Sequence, residues 1–153
     1  MARSRVETVV KQSLLDRLTA TDAWPVTRGA SLRMFREGLR RDVEWLLNTR
    51  RPQAAAFEGF PLASKSVVNY GLPDLTHMSS RRENAEALIL AILNTLRTFE
   101  PRVHQPEVTM LAGEASTRTL RFQVRGTLRL ETGEETVTFD TRLEIASGEY
   151  EVR

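Results

Sequence analysis

The order of apolar and polar residues divides the chain into a part with helical periodicity and a C-terminal part that alternates. Between residues 31 and 48 the apolar positions recur every three or four residues, which is the period of one helix face. We expect Ser31 to be the N-cap of this helix and Asn48 to lie at its end. The predicted buried stripe consists of Leu32, Phe35, Leu39, Val43 and Leu46.

Two other segments have the same periodicity. Residues 8–18 predict a short amphipathic helix after a loose start, with Val9, Val10, Leu14, Leu15 and Leu18 as its apolar positions. Later, the capping box Ser80-x-x-Glu83 opens the most apolar helix of the chain, which Pro101 ends. We expect this long central helix to be covered on more than one side, because its apolar surface is broad. That surface comprises Ala85, Leu88, Ile89, Leu90, Ile92, Leu93, Leu96 and Phe99.

Beyond residue 103 the apolar period becomes two, which indicates half-buried β-strands. A two-residue turn at Thr132-Gly133 predicts a hairpin, and the charges on its polar face indicate the register. In the favoured register Arg121 faces Glu144, whereas a slip by two residues opposes Arg121 to Arg142. Opposed like charges are unfavourable, so we expect the register without the slip.

A third, weaker strand is predicted from Val108, Met110 and Ala112, on the other side of the first hairpin strand. The strand at 136–145 is then expected to form an open sheet edge. Helices followed by strands predict an α+β fold. We expect N-terminal helices and one long central apolar helix, packed on a C-terminal, mainly antiparallel sheet of about three strands.

The length of 153 residues is typical of one domain. Within a single domain at 1–153, we expect a loosely ordered arm at 1–12, a mainly helical part at 13–100 and the sheet at 103–147.

Composition narrows the class of protein. Cysteine is absent, no run approaches the ~18–20 apolar residues of a membrane span, and residues 1–15 lack the pattern of a secretory signal. These features predict a cytoplasmic protein without direct membrane insertion. Of the 22 basic residues only Lys11 and Lys65 are lysine. Arginine suits carboxylate pairing at interfaces, although a bias in genome composition explains the same excess.

Candidate catalytic residues are few. The two histidines, His77 and His104, lie in different segments without a carboxylate at ligand spacing, so we expect no metal site and no cofactor. Glycoside hydrolysis needs only two carboxylates. Glu100 and Asp74 are the best candidates, because each lies beside a proline at an element boundary. Their alternative roles are local, since Glu100 ends a helix and Asp74 caps a turn.

A nucleic-acid interface is a weaker hypothesis. Arg121, Arg125 and Arg129 line one strand face, but no aromatic residue interleaves with them to stack on bases. We therefore predict no nucleic-acid partner.

Four sequence segments carry a resemblance to a known family. They are SLLDRL at 13–18, RRDVEWLLNTRR at 40–51, SVVNYGLPDL at 66–75 and FEPRV at 99–103. Together they closely resemble the TssE family of bacterial type VI secretion systems. That family is similar in turn to the baseplate wedge protein of contractile phages and is historically called lysozyme-like. The resemblance spans about residues 13–111, with Val43 and Val68 where leucine is common.

The resemblance implies a structural subunit and not an enzyme. Members of the family lie in the baseplate wedge beside TssF and TssG, with TssK nearby, on the cytoplasmic side of the inner membrane. They also present a sheet on which the first ring of the TssB/TssC sheath is built. The alternative is a lysozyme-like peptidoglycan hydrolase that uses Glu100. Turnover of peptidoglycan by the purified protein distinguishes the two.

The same resemblance points to two sets of partner-binding residues. The first is the signature Glu100, Pro101 and Arg102, whose charge pair we expect to dock on a partner. The alternative is a pair that braces the helix-to-strand junction. For the second set we expect a structural turn with a partly buried tyrosine, and the alternative is a rigid loop presented to a wedge partner. The second set comprises Asn69, Tyr70, Gly71, Pro73 and Asp74.

The sheath is expected to contact a different part of the molecule. The open edge at 136–145 offers unpaired backbone groups, and we expect it to accept a strand from a sheath subunit.

Overall fold

The computed structural model describes residues 9–20, 24–52, 57, 59–73, 82–111, 119–131 and 133–153, with the backbone alone at 82–84. Within these ranges, helices come before an antiparallel sheet, which confirms the α+β class. The α-helices are α1 (Leu14–Thr19), α2 (Arg28–Asn48) and α3 (Arg82–Phe99), and two short 3-10 helices, Ala63–Lys65 and Val67–Asn69, lie between α2 and α3. The strands are β1 (Val103–Met110), β2 (Thr119–Leu130), β3 (Gly133–Glu144) and β4 (Glu149–Val152).

Helix α2 begins one turn earlier than predicted. Its N-cap is Thr27, whose side chain accepts a hydrogen bond from the Ala30 amide at 3.3 Å. The prediction that Ser31 is the N-cap was wrong, because Ser31 is buried in the first turn and its hydroxyl accepts the Val10 amide at 3.0 Å. The end at Asn48 is confirmed. The fully buried apolar positions of α2 are Leu39, Val43, Leu46 and Leu47.

Helix α3 is amphipathic and is not the long apolar helix that we predicted. It is shorter than α2, and within the described part of the chain one of its faces packs against other elements. Leu90 is 58% exposed, so the expected second apolar side faces solvent. The helix ends at Phe99, before Pro101, as predicted. Ser80 of the predicted capping box and the side chain of Glu83 lie outside the described residues.

Helix α1 is shorter than predicted and presents its apolar side to solvent. Leu14, Leu15 and Leu18 are 69%, 45% and 75% exposed, whereas Asp16 is buried. Ser13 caps the helix, and its Oγ accepts the Asp16 amide at 3.2 Å. The expectation of a buried leucine face was wrong, because an ion pair made by Asp16 orients this helix.

The sheet has four strands in the order β1-β2-β3-β4, so the prediction of about three strands missed β4. The predicted position of β1 beside β2 is confirmed. Val108 packs against the core and Met110 is 37% exposed, and Ala112 lies outside the described residues.

The hairpin of β2 and β3 is shifted by two residues from the predicted register. Leu130 pairs with Gly133, and Arg121 lies opposite Arg142. The prediction that like charges exclude this register was wrong. A shift by two keeps every side chain on its expected face, so core packing is compatible with both registers. Three polar contacts on the outer face support the observed register. They are Gln123 with Asp140 at 3.2 Å, Thr119 with Glu144 at 3.1 Å and Arg129 with Glu134 at 3.3 Å.

Strand β4 covers only the second half of β3. Beyond the β4 ladder, Asp140 and Arg153 exchange both backbone hydrogen bonds, at 3.0 and 2.9 Å. The expectation that all of 136–145 is an open edge was therefore wrong. Because successive N–H groups point to opposite sides of a strand, those of Thr136 and Thr138 point to the open edge and that of Thr141 points to β2.

Helix α2 covers the outer edge of β4. The side chain of Asn48 donates to the Tyr150 carbonyl oxygen at 2.8 Å and accepts the Tyr150 amide at 2.9 Å. Arg40 donates to the Val152 carbonyl oxygen at 2.7 Å. At the other end of the sheet, β1 has a bulge that includes Gln105, with φ of +49°, and Pro106, and such features discourage strand addition. Among the described strands, the regular open edge is therefore 136–139.

One apolar core lies between the helices and the inner face of the sheet. Helix α2 packs beside β4, and α3 packs against β1. Within the described part of the chain, none of the helices has the length and apolarity to cross a bilayer, and no three potential metal ligands come together. The largest fully buried side chains include Phe122, Leu39, Leu46, Leu72, Ile92, Leu96 and Leu128.

The contacts of Asn48 give a first prediction. We expect Asn48→Ala to lower the free energy of unfolding by about 1–3 kcal/mol, because the backbone groups of the buried Tyr150 lose their partners. Urea denaturation measures this effect. The matched control is Asn94→Ala, at an exposed position of α3 whose side chain has no hydrogen bond among the described residues. It should change the free energy by less than about 0.5 kcal/mol. Equal urea midpoints for the two variants would contradict a role of Asn48 in holding β4.

Candidate partner-binding site

The corner between α3 and β1 is built around an ion pair. Glu100 is 4% exposed, and both of its oxygens accept hydrogen bonds from the Arg102 guanidinium, at 2.6 and 2.5 Å. Pro101 lies between them and is exposed. Since proline cannot continue a helix, it turns the chain at this point and places both charged side chains on one side.

Arg102 also binds Asp42 of α2. Its Nη2 donates to Asp42 Oδ2 at 2.8 Å, and Arg41 donates to the other oxygen, Oδ1, at 2.7 Å. Arg41 in turn donates to Asp16 of α1 at 2.7 Å. The five side chains alternate in charge and connect the corner, α2 and α1. We call Glu100, Arg102, Asp42, Arg41 and Asp16 the ionic chain.

The pKa values of Asp16 and Arg102 follow from their contacts. Burial by itself raises the pKa of Asp16, but hydrogen bonds from Ser13 and Arg41 hold the pKa of that carboxyl below its ordinary value of 3.8. Burial by itself lowers the pKa of Arg102, but the bonds to Glu100 and Asp42 outweigh it and raise that pKa above its ordinary value. The contacts therefore stabilise the charged forms of Asp16 and Arg102.

Two aromatic rings lie against the arginines of the ionic chain. The Arg41 guanidinium carbon lies 4.8 Å from the centroid of the Trp45 ring, and that of Arg102 lies 5.9 Å from the Phe35 ring. Such stacking leaves the edge of the guanidinium free for hydrogen bonds. Trp45 is 51% exposed, so one side of this stack is open to a partner.

The segment at 69–73 packs beside the same corner. The Tyr70 ring meets the Phe99 ring edge to face at 5.4 Å, and its partial burial agrees with our expectation. Burial, and then the charges of Asp42 and Glu100, raises the pKa of Tyr70 above 10.0. The Leu72 amide donates to the Thr49 carbonyl oxygen at 2.8 Å, which attaches the segment to the end of α2.

Gly71 has a structural reason to be glycine. Its φ is +109°, a conformation that other residues rarely adopt, and a Cβ there would overlap the carbonyl oxygen of Thr49. Asn69 is buried, and its Nδ2 donates to the Ser64 carbonyl oxygen at 2.7 Å. Pro73 is half-buried, and Asp74 lies outside the described residues.

The structure therefore brings most of the predicted site residues together. Tyr70 lies close enough to Glu100 to feel its charge, and Gly71 fixes the backbone between Tyr70 and the attachment to α2. The four segments that carry the resemblance all contribute here: 13–18 through Asp16, 40–51 through Asp42, 66–75 through Tyr70 and 99–103 through Arg102. The internal ion pairs are compatible with the bracing role, and docking on a partner stays a prediction.

A second candidate surface was not predicted in its observed form. A groove of about 380 Å³ runs beside the open edge of β3 at 136–139 and is lined on its other side by Arg33, Arg36 and Arg40 of α2. Arg36 binds Glu135 at 3.1 Å, whereas Arg33 has no ion-pair partner among the described residues. We call the groove between residues 136–139 and the arginines of α2 the edge groove. The alternation of Tyr150 and Val152 was the signal for β4 and hence for the limits of the groove, but it spans only four residues.

A comparison with protein families gives a match. The model of a family described as baseplate wedge protein gp25 matches residues 33–132 of this chain. The matched range contains most of α2, all of α3, β1 and β2, and most of the ionic chain. A search of the curated proteins found no match.

The lowered pKa of Asp16 gives a second prediction. A carboxyl with a depressed pKa in the folded state adds stability above its unfolded value near 3.8, and the gain is lost as the pH falls through the folded value. We expect Asp16→Asn to lower the free energy of unfolding by about 1.5–3 kcal/mol at pH 7, and the difference from the unchanged protein to shrink below pH 4. Urea denaturation at pH 7, 5 and 3 measures both effects.

The matched control for this experiment is Glu37→Gln. The hydrogen bond from Arg40 lowers the pKa of Glu37 too, but the Glu37 side chain is 70% exposed and solvent screens it. Its substitution should change stability little at any of the three pH values. If the Asp16→Asn difference were the same at pH 3 as at pH 7, the charge of Asp16 would not be what holds α1.

Proposed function

Because the chain belongs to the family of the baseplate wedge protein gp25, we propose that it is the TssE-type subunit of a type VI secretion baseplate. The family match covers well over half of the chain, and the protein is accordingly a component of a phage-tail-like baseplate. TssE is the type VI homologue of phage gp25. In this proposal the subunit joins the wedge to the first ring of the contractile sheath and helps to start sheath assembly.

One observation carries the type VI part of the proposal. The four sequence segments that resemble TssE are separated by up to about eighty residues, yet each places a side chain in or beside the ionic chain. A cluster made only of motif residues indicates that the motifs serve one structural unit. The exposed edge of this unit, with Pro101, Trp45 and the accessible part of Arg102, is where we place the contact with the wedge subunits TssF and TssG, with TssK nearby.

The sheath contact is proposed at the edge groove. The N–H and C=O groups of Thr136 and Thr138 point away from β2 and have no strand beside them in the described structure. An added strand would continue the sheet at this point through main-chain hydrogen bonds. Arg33 and Arg36 on the opposite wall favour an acidic segment of a TssB or TssC subunit as the added strand.

The geometry of Glu100 counts against the hydrolase alternative. A general acid must reach the glycosidic oxygen of the substrate, but Glu100 is buried and both of its oxygens bind Arg102. Asp42, which binds the same guanidinium as Glu100, is held by Arg41 and Arg102 and is not free to act as a nucleophile. We therefore propose that the protein has no enzymatic role, and we expect no release of muropeptides from peptidoglycan by the purified protein. The proposed location is the cytoplasmic side of the inner membrane.

The edge groove gives a third prediction. We expect Thr138→Pro to fold, because the lost N–H points to the open edge, but to block the start of sheath polymerisation while TssF and TssG still bind. Thr138→Val keeps the N–H group and should support normal sheaths. Thr141→Pro removes an N–H that bonds β2 and should unfold the hairpin. Fluorescence microscopy of labelled sheaths, together with circular dichroism of each variant, provides the readout. Normal sheaths with folded Thr138→Pro would place the sheath contact elsewhere.

The corner gives a fourth prediction. We expect Arg102→Glu to lose copurification with TssF and TssG. The reversed charge repels a complementary partner, and Glu100 and Asp42 lose the cation that pairs with them. The control is Asp42→Asn, which weakens the internal contact and keeps Arg102. If both variants lose the partners in proportion to their loss of stability, the pair only braces the corner. If Asp42→Asn is destabilised and still binds, Arg102 itself contributes to docking.

A further inference from the structure

The outer face of the sheet contains an unfavourable pair of like charges. Arg121 of β2 and Arg142 of β3 are direct cross-strand neighbours, and both side chains are exposed. Neither has an ion pair or a side-chain hydrogen bond among the described residues. Like charges directly opposite each other destabilise a sheet, so this pair needs a compensating reason. We call Arg121 and Arg142 the arginine pair.

The carboxylates near the arginine pair are engaged elsewhere. Asp140 accepts a hydrogen bond from Gln123 at 3.2 Å, and Glu144 accepts one from Thr119 at 3.1 Å. Glu151, which lies opposite Arg142 in β4, binds Arg153 at 2.7 Å. A register shifted by two residues would have placed Arg121 opposite Glu144. The observed register makes Arg121 and Arg142 cross-strand neighbours, and neither guanidinium has an acceptor among the described residues.

A cavity of about 530 Å³ lies at the arginine pair. Its charged lining consists of three arginines and two carboxylates, Arg121, Arg142, Arg153, Asp140 and Glu151, with Leu111 and Phe122 as apolar neighbours. Its volume is within the range of small-ligand sites and fits one or two side chains of a partner. Two adjacent guanidinium groups present several parallel N–H donors, which match the two oxygens of a carboxylate.

We propose that the arginine pair is a docking site for an acidic side chain from an extended segment of a partner protein. Charge complementarity selects this occupant. The arginine pair favours an anion, while Asp140 and Glu151, which line the same cavity, repel a polyanion such as nucleic acid. A peptide in which one glutamate is flanked by lysines matches both parts of the surface. Arg153 lines both this cavity and the edge groove, but the arginine pair lines this cavity and not the edge groove, so its test does not depend on the proposed sheath contact.

A peptide titration with the purified protein tests the proposal. The probe is a fluorescein-labelled seven-residue peptide with a central glutamate and a lysine two positions to each side. The comparison peptide has glutamine at the centre. We expect the glutamate peptide to bind saturably by fluorescence anisotropy, and Arg121→Gln or Arg142→Gln to weaken it at least tenfold. The control Arg125→Gln changes an exposed arginine of β2 that does not line the cavity, and it should leave the affinity unchanged.

A second readout separates docking from a structural role. Removal of either member of the arginine pair relieves the repulsion, so Arg121→Gln and Arg142→Gln should raise the melting temperature by about 1–3 °C while they lose the peptide. A protein that becomes more stable as it loses binding has a site maintained for function. A fall in melting temperature for both variants would overturn the proposal, because the arginines would then stabilise the fold.

The same experiment tests other ligands for the cavity at the arginine pair. Equal affinity for the glutamate and glutamine peptides, or tighter binding of inorganic phosphate or of a single-stranded oligonucleotide than of the glutamate peptide, would overturn the proposal. The chain has a further carboxylate at Glu114, outside the described residues. If Glu114→Gln alone increased peptide affinity tenfold, the acceptor for the arginine pair would come from this chain and not from a partner. An unchanged affinity in Glu114→Gln supports the external acceptor.

Discussion

The guanidinium of Arg102, held between Glu100 and Asp42, is the interaction on which the arrangement of helices and sheet depends. It joins the corner after α3 to α2, and Arg41 extends the connection to α1. A partly buried ion pair adds little net stability, because desolvation offsets the attraction, but the loss of one partner leaves an unpaired charge. The ionic chain is therefore a geometric constraint more than a source of stability. It connects elements that pack around one apolar core, and it restricts how they align with one another.

The same constraint explains why helix α1 presents its apolar side to solvent. Six residues are too few to form a stable helix on their own, so contacts outside the helix must decide its orientation. Asp16 reaches Arg41 only if this face points inward, and the three leucines then face solvent. Together with Trp45 they leave apolar surface near the ionic chain. In a baseplate component, such surface is consistent with burial in the assembled wedge.

The two edges of the sheet are protected from strand addition in different ways, and this protection defines the surfaces available for assembly. A bulge with Pro106 interrupts β1, and side chains of α2 take the place of a strand beside β4. Among the strands that the structure describes, the first half of β3 keeps regular outward backbone groups. On the outer face of the sheet, the arginine pair violates the usual preference for opposite charges. Sequence preferences of this kind tend to fail at functional positions, because stability is lost there in favour of binding.

Local patterns in the sequence determined the class of the fold, the C-terminal ends of α2 and α3, and which face of each strand is buried. These features depend on the apolar period, on Pro101 and on contacts within a few residues. The segment FEPRV likewise indicated that Glu100 and Arg102 act as a unit. The hairpin register was decided only by the tertiary structure, because a two-residue slip keeps the same faces and cross-strand charge pairs differ by about 0.2–1 kcal/mol. The other contacts of the ionic chain could not be predicted from the sequence either. Arg102 and Asp42 are 60 residues apart, and Arg41 and Asp16 are 25 residues apart. Partners so far apart are set by the packing of whole elements, and no local spacing encodes them.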